Sequence, residues 1–177
     1  MSLQDVGVAL KRAMAALQRR PEMGIHSNPN AVARWESGTR VVVHSPDGAK
    51  VVTDMPKEIG GTGDQVSPGW LFRAGIASCA TTSITMAAAN EGVDLTALEV
   101  RVESHSDARG LLGMSDPGGV PVYAGLYDVA LHVTIAASDT TTAGLKQLVE
   151  SCLAHSPIPC SLATATPFTL HVNVGSE

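Results

Sequence analysis

The chain has 177 residues, 44% of them hydrophobic and 16% charged, a balance that builds a packed core and excludes a disordered, solvating chain. Its net charge is −5 with no block of Lys or Arg, which argues against nucleic acid as a partner, and no run reaches the roughly 18 to 20 uninterrupted apolar residues of a membrane span. Aromatic residues are only 3%, so the core must come from Val, Leu, Ile and Ala, and a core of such small residues often needs a partner subunit to complete it.

Residues 3–20 read as an amphipathic helix, with Val6, Leu10, Met14 and Leu17 at helical spacing and Ser2 as N-cap. Asp5, Lys11, Arg12, Arg19 and Arg20 interrupt it, so it lacks the apolar centre of a signal peptide, and a cytoplasmic location is the default expectation. Pro21 and Gly24 end it. Residues 31–53 alternate as strands, with turns at Trp35-Glu36-Ser37-Gly38-Thr39 and Ser45-Pro46-Asp47-Gly48, which predicts a three-stranded meander. Residues 54–67 are read as a flexible loop. Its Gly60-Gly61-Thr62-Gly63 run lacks the spacing and the Lys of a phosphate-binding loop.

The clearest element follows. Ser67 caps, Pro68 suits the first helical position, and a helix runs to about Asn90 before Gly92. It is apolar nearly all round, which predicts burial on most faces. Leu98, Val100 and Val102 alternate with charged residues as a strand with one wet face, and residues 105–121 form a Gly-, Asp- and Pro-rich excursion. A further strand covers 123–136. A second helix spans 140–154, with Leu145, Leu148, Val149, Cys152 and Leu153 as its apolar stripe. Ser156-Pro157 breaks it and starts a short helix. Phe168, Leu170, Val172 and Val174 predict a last strand. The order describes an α+β chain with mainly antiparallel pairing. It is organised as an N-terminal helical extension, 1–24, and a single domain, 25–177.

Three cysteines, Cys79, Cys152 and Cys160, with no C-x-x-C exclude a disulfide framework and give no support for structural zinc. The six histidines are scattered without metal-ligand spacing, no cofactor motif is present, and there is no G-x-S-x-G elbow. Cys152, in an amphipathic stripe, reads as core. Ser156 reads as an N-cap, with His155 beside it as an exposed neighbour.

The run from Ser67 and Pro68 to Cys79, with Pro and Cys eleven residues apart, resembles the central-helix motif of the OsmC-like family, which includes the organic hydroperoxide resistance proteins. Thr53 to Gly61 and Ser106 to Gly113 resemble one branch of it, and Leu148 to Leu162 resembles its second helix and the break after it. The likeness spans about residues 30–175. It implies an intertwined homodimer built around a long buried central helix. It also implies reduction of organic and inorganic peroxides by a nucleophilic Cys, a second Cys that resolves the sulfenic acid, and an Arg–Glu pair that activates the first thiol.

Cys79 stands at the first position. The activating carboxylate, nine residues before the Cys, is replaced by Trp70, and the family's loop Arg has only Lys57 near its place. The second Cys, which precedes a Pro and an apolar residue, is replaced by Ser156 before Pro157 and Ile158, with Cys160 about one turn further on as a substitute thiol. Arg109 in the excursion is the candidate to reach a partner's site, whereas Arg73 lies about 120° from Cys79 in helical projection. The expectation is a cysteine-based hydroperoxide reductase with degenerate activating and resolving positions, in which Cys79 is a weaker nucleophile than the family's peroxidases carry. The alternative is a non-enzymatic dimer that binds an apolar small molecule at the subunit interface, walled by Trp70 and Phe72. A third reading is a structural or regulatory dimer with neither activity.

Overall fold

The computed structural model describes residues 2–164 and 166–175. Helix α1, Leu3–Arg19, opens with a capping box in which the Ser2 hydroxyl accepts from the Asp5 N–H and the Asp5 carboxylate accepts from the Ser2 N–H. Strands β1, Val32–Ser37, β2, Arg40–His44, and β3, Lys50–Thr53, form the antiparallel meander in that order. Helix α2, Pro68–Glu91, is the longest element. It begins with the Ser67 hydroxyl accepting from the Trp70 N–H (3.2 Å) and stops at Gly92, whose N–H caps the Ala88 carbonyl.

Strands β4, Leu95–His105, and β5, Tyr127–Ala137, pair antiparallel as a second sheet. The excursion between them, read from the sequence as loop, holds one helical turn, α3, Ala108–Leu111. Helix α4, Thr142–Leu153, and the short α5, Pro157–Ala163, complete the order. Antiparallel strands with several helices make a mixed α and β fold, as the chain-order reading expected.

A two-stranded ribbon is marginal alone and needs a helix on its apolar face. Helices α2 and α4 provide that cover. Ile84 and Ala88 of α2 and Leu148 of α4 are buried together, and Leu98, Val100, Val133 and Ile135 of the ribbon pack onto them. On α2 the fully buried residues Ile76, Ala80, Ile84 and Ala88 recur every four residues. The helix is therefore buried along a stripe within one chain, while Trp70, Phe72 and Met86 stay exposed.

Helix α1 lies against the last turns of α2. A Cβ at Gly7 would come within 2.4 Å of the Ala89 carbonyl oxygen, so only glycine permits this approach. The apolar stripe of α1 is covered only in its first half, around Val6 and Leu10, and Met14 and Leu17 are exposed.

Two features depart from the sequence reading. The 54–67 segment, expected to be a flexible loop, is a hydrogen-bonded turn. The Asp54 carboxylate accepts from Thr39, from the Met55 N–H, and from both the hydroxyl and the N–H of Thr62, while Arg40 pairs with Asp54 and Asp64. These donors hold the Asp54 carboxyl far below the usual carboxylate range. Gly61 is part of the same winding, because a Cβ there would overlap the Met55 carbonyl. One inward carboxylate with many donors orders a glycine-rich stretch that composition alone marks as loose.

The second departure is the C-terminal strand. Residues 168–174 pair with neither sheet, and Phe168 and Val174 are 89% and 90% exposed. Alternation prepares a segment for an edge and an apolar face, but no strand edge of the described chain receives it. The β1–β2–β3 meander is likewise only weakly attached, with no extensive packing onto the other elements.

Candidate functional site

The break between α4 and α5 turns back onto the middle of α2. Pro157 starts α5, and Ser156, just before it, is completely buried. Its Oγ lies 3.3 Å from the Cys79 Sγ. The Ser83 hydroxyl, one turn after Cys79 on α2, donates to the Ser156 Oγ at 3.0 Å, which leaves the Ser156 proton free to point at the sulfur. The Ile158 N–H points at the same sulfur from 3.5 Å. Because Pro157 and Pro159 carry no N–H, Ile158 is the one residue of the first three in α5 that can donate. A hydroxyl and an amide N–H from the start of α5 thus both face the sulfur.

Cys79 is half-buried and sits at one end of a cavity of about 640 Å³ between α2 and α4. Ser83 and Met86 of α2 and Leu148, Cys152 and His155 of the α4 side line it. The volume is within the about 300–1,000 Å³ typical of small-molecule sites. Among the described residues no group of three His, Cys, Asp or Glu side chains converges as a metal site, and no helix is long and apolar enough to cross a membrane.

The residues singled out from the sequence fall into two groups. Cys79 and Ser156 are brought together. Cys160 is turned away, its Sγ donating to the Ala154 carbonyl at 3.1 Å, and it does not line the cavity. Trp70, Phe72, Lys57 and Arg109 do not line it either. Nine residues at about 100° each put Trp70 on the opposite side of α2 from Cys79, where it borders a shallow depression with Arg73 and Val102. Phe72 shares the Cys79 face but lies two turns away. Lys57 packs beside Gly63 in the ordered turn, and Arg109 is held by Asp107 in a two-pronged pair. Arg73 donates to Ser104 on β4. No guanidinium of the described chain reaches the Cys79 sulfur.

Sequence reasoning missed two participants. Ser83 follows Cys79 by four residues, a spacing that signals a shared face once Cys79 is singled out. Cys152, read as core, does pack on the Ile84–Ala88–Leu148 cluster, and it also borders the cavity. Burial first, and the Glu91 carboxylate second, push its thiol pKa up.

Together the fold and the site define a mixed α and β protein with a cysteine presented on a central helix at an apolar cavity. The family described as OsmC-like protein matches residues 61–171, more than half of the chain, and the chain belongs to that family.

Solved structures share the fold. An OsmC-like protein from Mycoplasma pneumoniae superposes with a TM-score of 0.65 at 16% identity, over 80% of this chain and 91% of that one. An organic hydroperoxide resistance protein from Legionella pneumophila gives 0.58 at 25% identity, over 77% and 91%. One from Elizabethkingia anophelis gives 0.59 at 20%, over 80% and 91%. No curated protein matches the sequence.

Proposed function

We propose that the protein is a thiol-dependent hydroperoxide reductase that uses Cys79 alone and returns to the reduced state through an external small thiol. The observation that carries this reading is the Cys79 sulfur at the end of an apolar cavity, facing the Ser156 hydroxyl at 3.3 Å and the Ile158 N–H at 3.5 Å. Family membership and the hydroperoxide resistance proteins among its structural neighbours support the substrate class.

In the reaction, the Cys79 thiolate attacks the outer oxygen of the hydroperoxide. The S–O bond forms, the O–O bond breaks, and the alkoxide leaves and takes up a proton as the alcohol. The sulfur is oxidised by two electrons and the peroxide is reduced by two. The hydroxyl at Ser156 cannot displace the sulfenic oxygen to make a disulfide. A small thiol therefore condenses with the sulfenic acid, releasing water, and a second thiol frees Cys79. Ser156 and Ile158 face the sulfur, and when it is a thiolate both donate to it. Among the described residues no Arg–Glu pair stands at the sulfur, so the nucleophile depends on those two donors and turnover is slow.

Peroxide consumption in the presence of dithiothreitol tests the reading. Wild-type protein consumes cumene hydroperoxide catalytically, Cys79→Ser falls to the uncatalysed background, and Cys160→Ser, outside the cavity, changes the rate by no more than about twofold. Equal rates in wild type and Cys79→Ser would show that the thiol is not the nucleophile and would leave the non-catalytic binding reading standing.

We further propose that the working form is a homodimer. The unpaired 168–174 segment, the poorly covered meander and the exposed α2 residues Trp70 and Phe72 are surfaces for a second copy. Light scattering at micromolar concentration should give twice the monomer mass, and a monomeric mass would overturn it.

A further inference from the structure

The cavity beside Cys79 has two chemically different ends. At one end are the sulfur and its hydroxyl partners. Met86, Ala87 and Leu148 line the middle. The other end is the last turn of α2, where Asn90 and Glu91 reach the rim. Twelve residues separate Cys79 from Glu91, which at the helical rise is ~18 Å, a length that a long acyl chain spans.

Among the described residues that line the cavity Glu91 carries the one fixed charge, and none of them is Lys or Arg. The carbonyl end of a 24-residue helix adds partial negative charge at the same place. A molecule that lies along this groove with its hydroperoxide at Cys79 would put its other end against negative potential. A carboxylate there meets like charge, whereas an ester or alcohol meets only Asn90 and the solvent-facing rim.

We propose that this cavity selects long-chain organic hydroperoxides whose far end is uncharged, and that Glu91 sets this preference by repelling anionic head groups. The proposal rests on the reductase reading for the word hydroperoxide, but not for the charge preference. Glu91 and the half-buried Cys152 line the same cavity, so the carboxylate stands at the wall of the groove as well as at its rim.

The experiment separates the two claims. Decanoic acid, ionised at pH 8, and methyl decanoate are titrated against a fluorescent apolar probe bound to the wild-type chain and to Glu91→Gln. The ester should displace the probe about tenfold more effectively than the acid from wild type, and Glu91→Gln should bring the pair to within about threefold. The same proteins are then assayed with the hydroperoxides of linoleic acid and of methyl linoleate, where kcat/KM should follow the same order. An acid that binds as well as the ester, a ratio that Glu91→Gln leaves unchanged, or failure of both ligands to displace the probe overturns the charge selection. A correct binding preference with neither hydroperoxide consumed leaves the selection in place and overturns the reductase.

Discussion

Exposed to excess cumene hydroperoxide without a reducing thiol, the wild-type chain should accumulate Cys79 as sulfinic and then sulfonic acid, with no protein disulfide. Within reach of the sulfur are the Ser156 hydroxyl at 3.3 Å and the Ile158 N–H at 3.5 Å, which offer hydrogen bonds but no sulfur to bond with. The other two thiols are committed elsewhere. Cys160 donates to the Ala154 carbonyl at 3.1 Å, and Cys152 donates to the Val149 carbonyl at 3.4 Å while it packs on the core. A sulfenic acid with no resolving partner is open to a second and third oxidation, and both later products are essentially irreversible. Intact mass should therefore rise by two and then three oxygen atoms, mapped to the peptide that contains Cys79, with loss of activity in step. Rapid, quantitative formation of a Cys79–Cys160 disulfide would mean that α5 moves during oxidation and that Cys160 resolves from its shifted position.

Ser156→Cys should reverse that outcome. The side chain at 156 already touches the Cys79 sulfur and is completely buried. A thiol there needs only a modest closing of the gap to reach the ~2.05 Å of a disulfide bond. The sulfenic acid would be captured within the chain, with one S–S bond formed and one water released. We expect the mass to fall by two hydrogens per oxidised chain and over-oxidation at a fixed peroxide dose to drop by about tenfold or more. Turnover with dithiol reductants should rise, because a disulfide is the substrate such reductants handle best. The variant also carries a readout of position. If sulfinic acid still accumulates at the wild-type rate, the contact between 79 and 156 is not maintained during oxidation, and the single-cysteine reading loses its geometric basis.

Much of the frame was legible without coordinates because it is locally encoded. Ser67, Pro68 and Gly92 punctuate α2, and their capping chemistry needs nothing beyond the next few residues. The alternation of Leu98, Val100 and Val102, and the turn residues of the meander, work over equally short range. Cys79 and Ser156 both stand out in the sequence through the resemblance of their surrounding motifs to the family pattern. Helical phase was also readable, and it already separates Trp70 from Cys79 by half a turn.

What the chain-order reading could not reach depends on contacts distant in sequence. The sulfur–hydroxyl approach joins residues 77 positions apart, and whether the thiol of Cys160 or the hydroxyl of Ser156 faces Cys79 turns on how α5 folds back after the break. The same holds for Asp54, whose donors come from Thr39 and Thr62 on either side of it and convert a glycine-rich stretch into an ordered turn. Residues 168–174 mark the limit from the other side. Their alternating apolar pattern is written in the sequence, but a strand exists only when an edge receives it, and no pattern of side chains names the chain that supplies that edge. The sequence by itself determined most of the helices and strands and singled out Cys79 as the candidate thiol. Only the tertiary structure decided the thiol's neighbours, because hydrogen bonds and cavities are made by side chains that converge in space and not by their spacing along the chain.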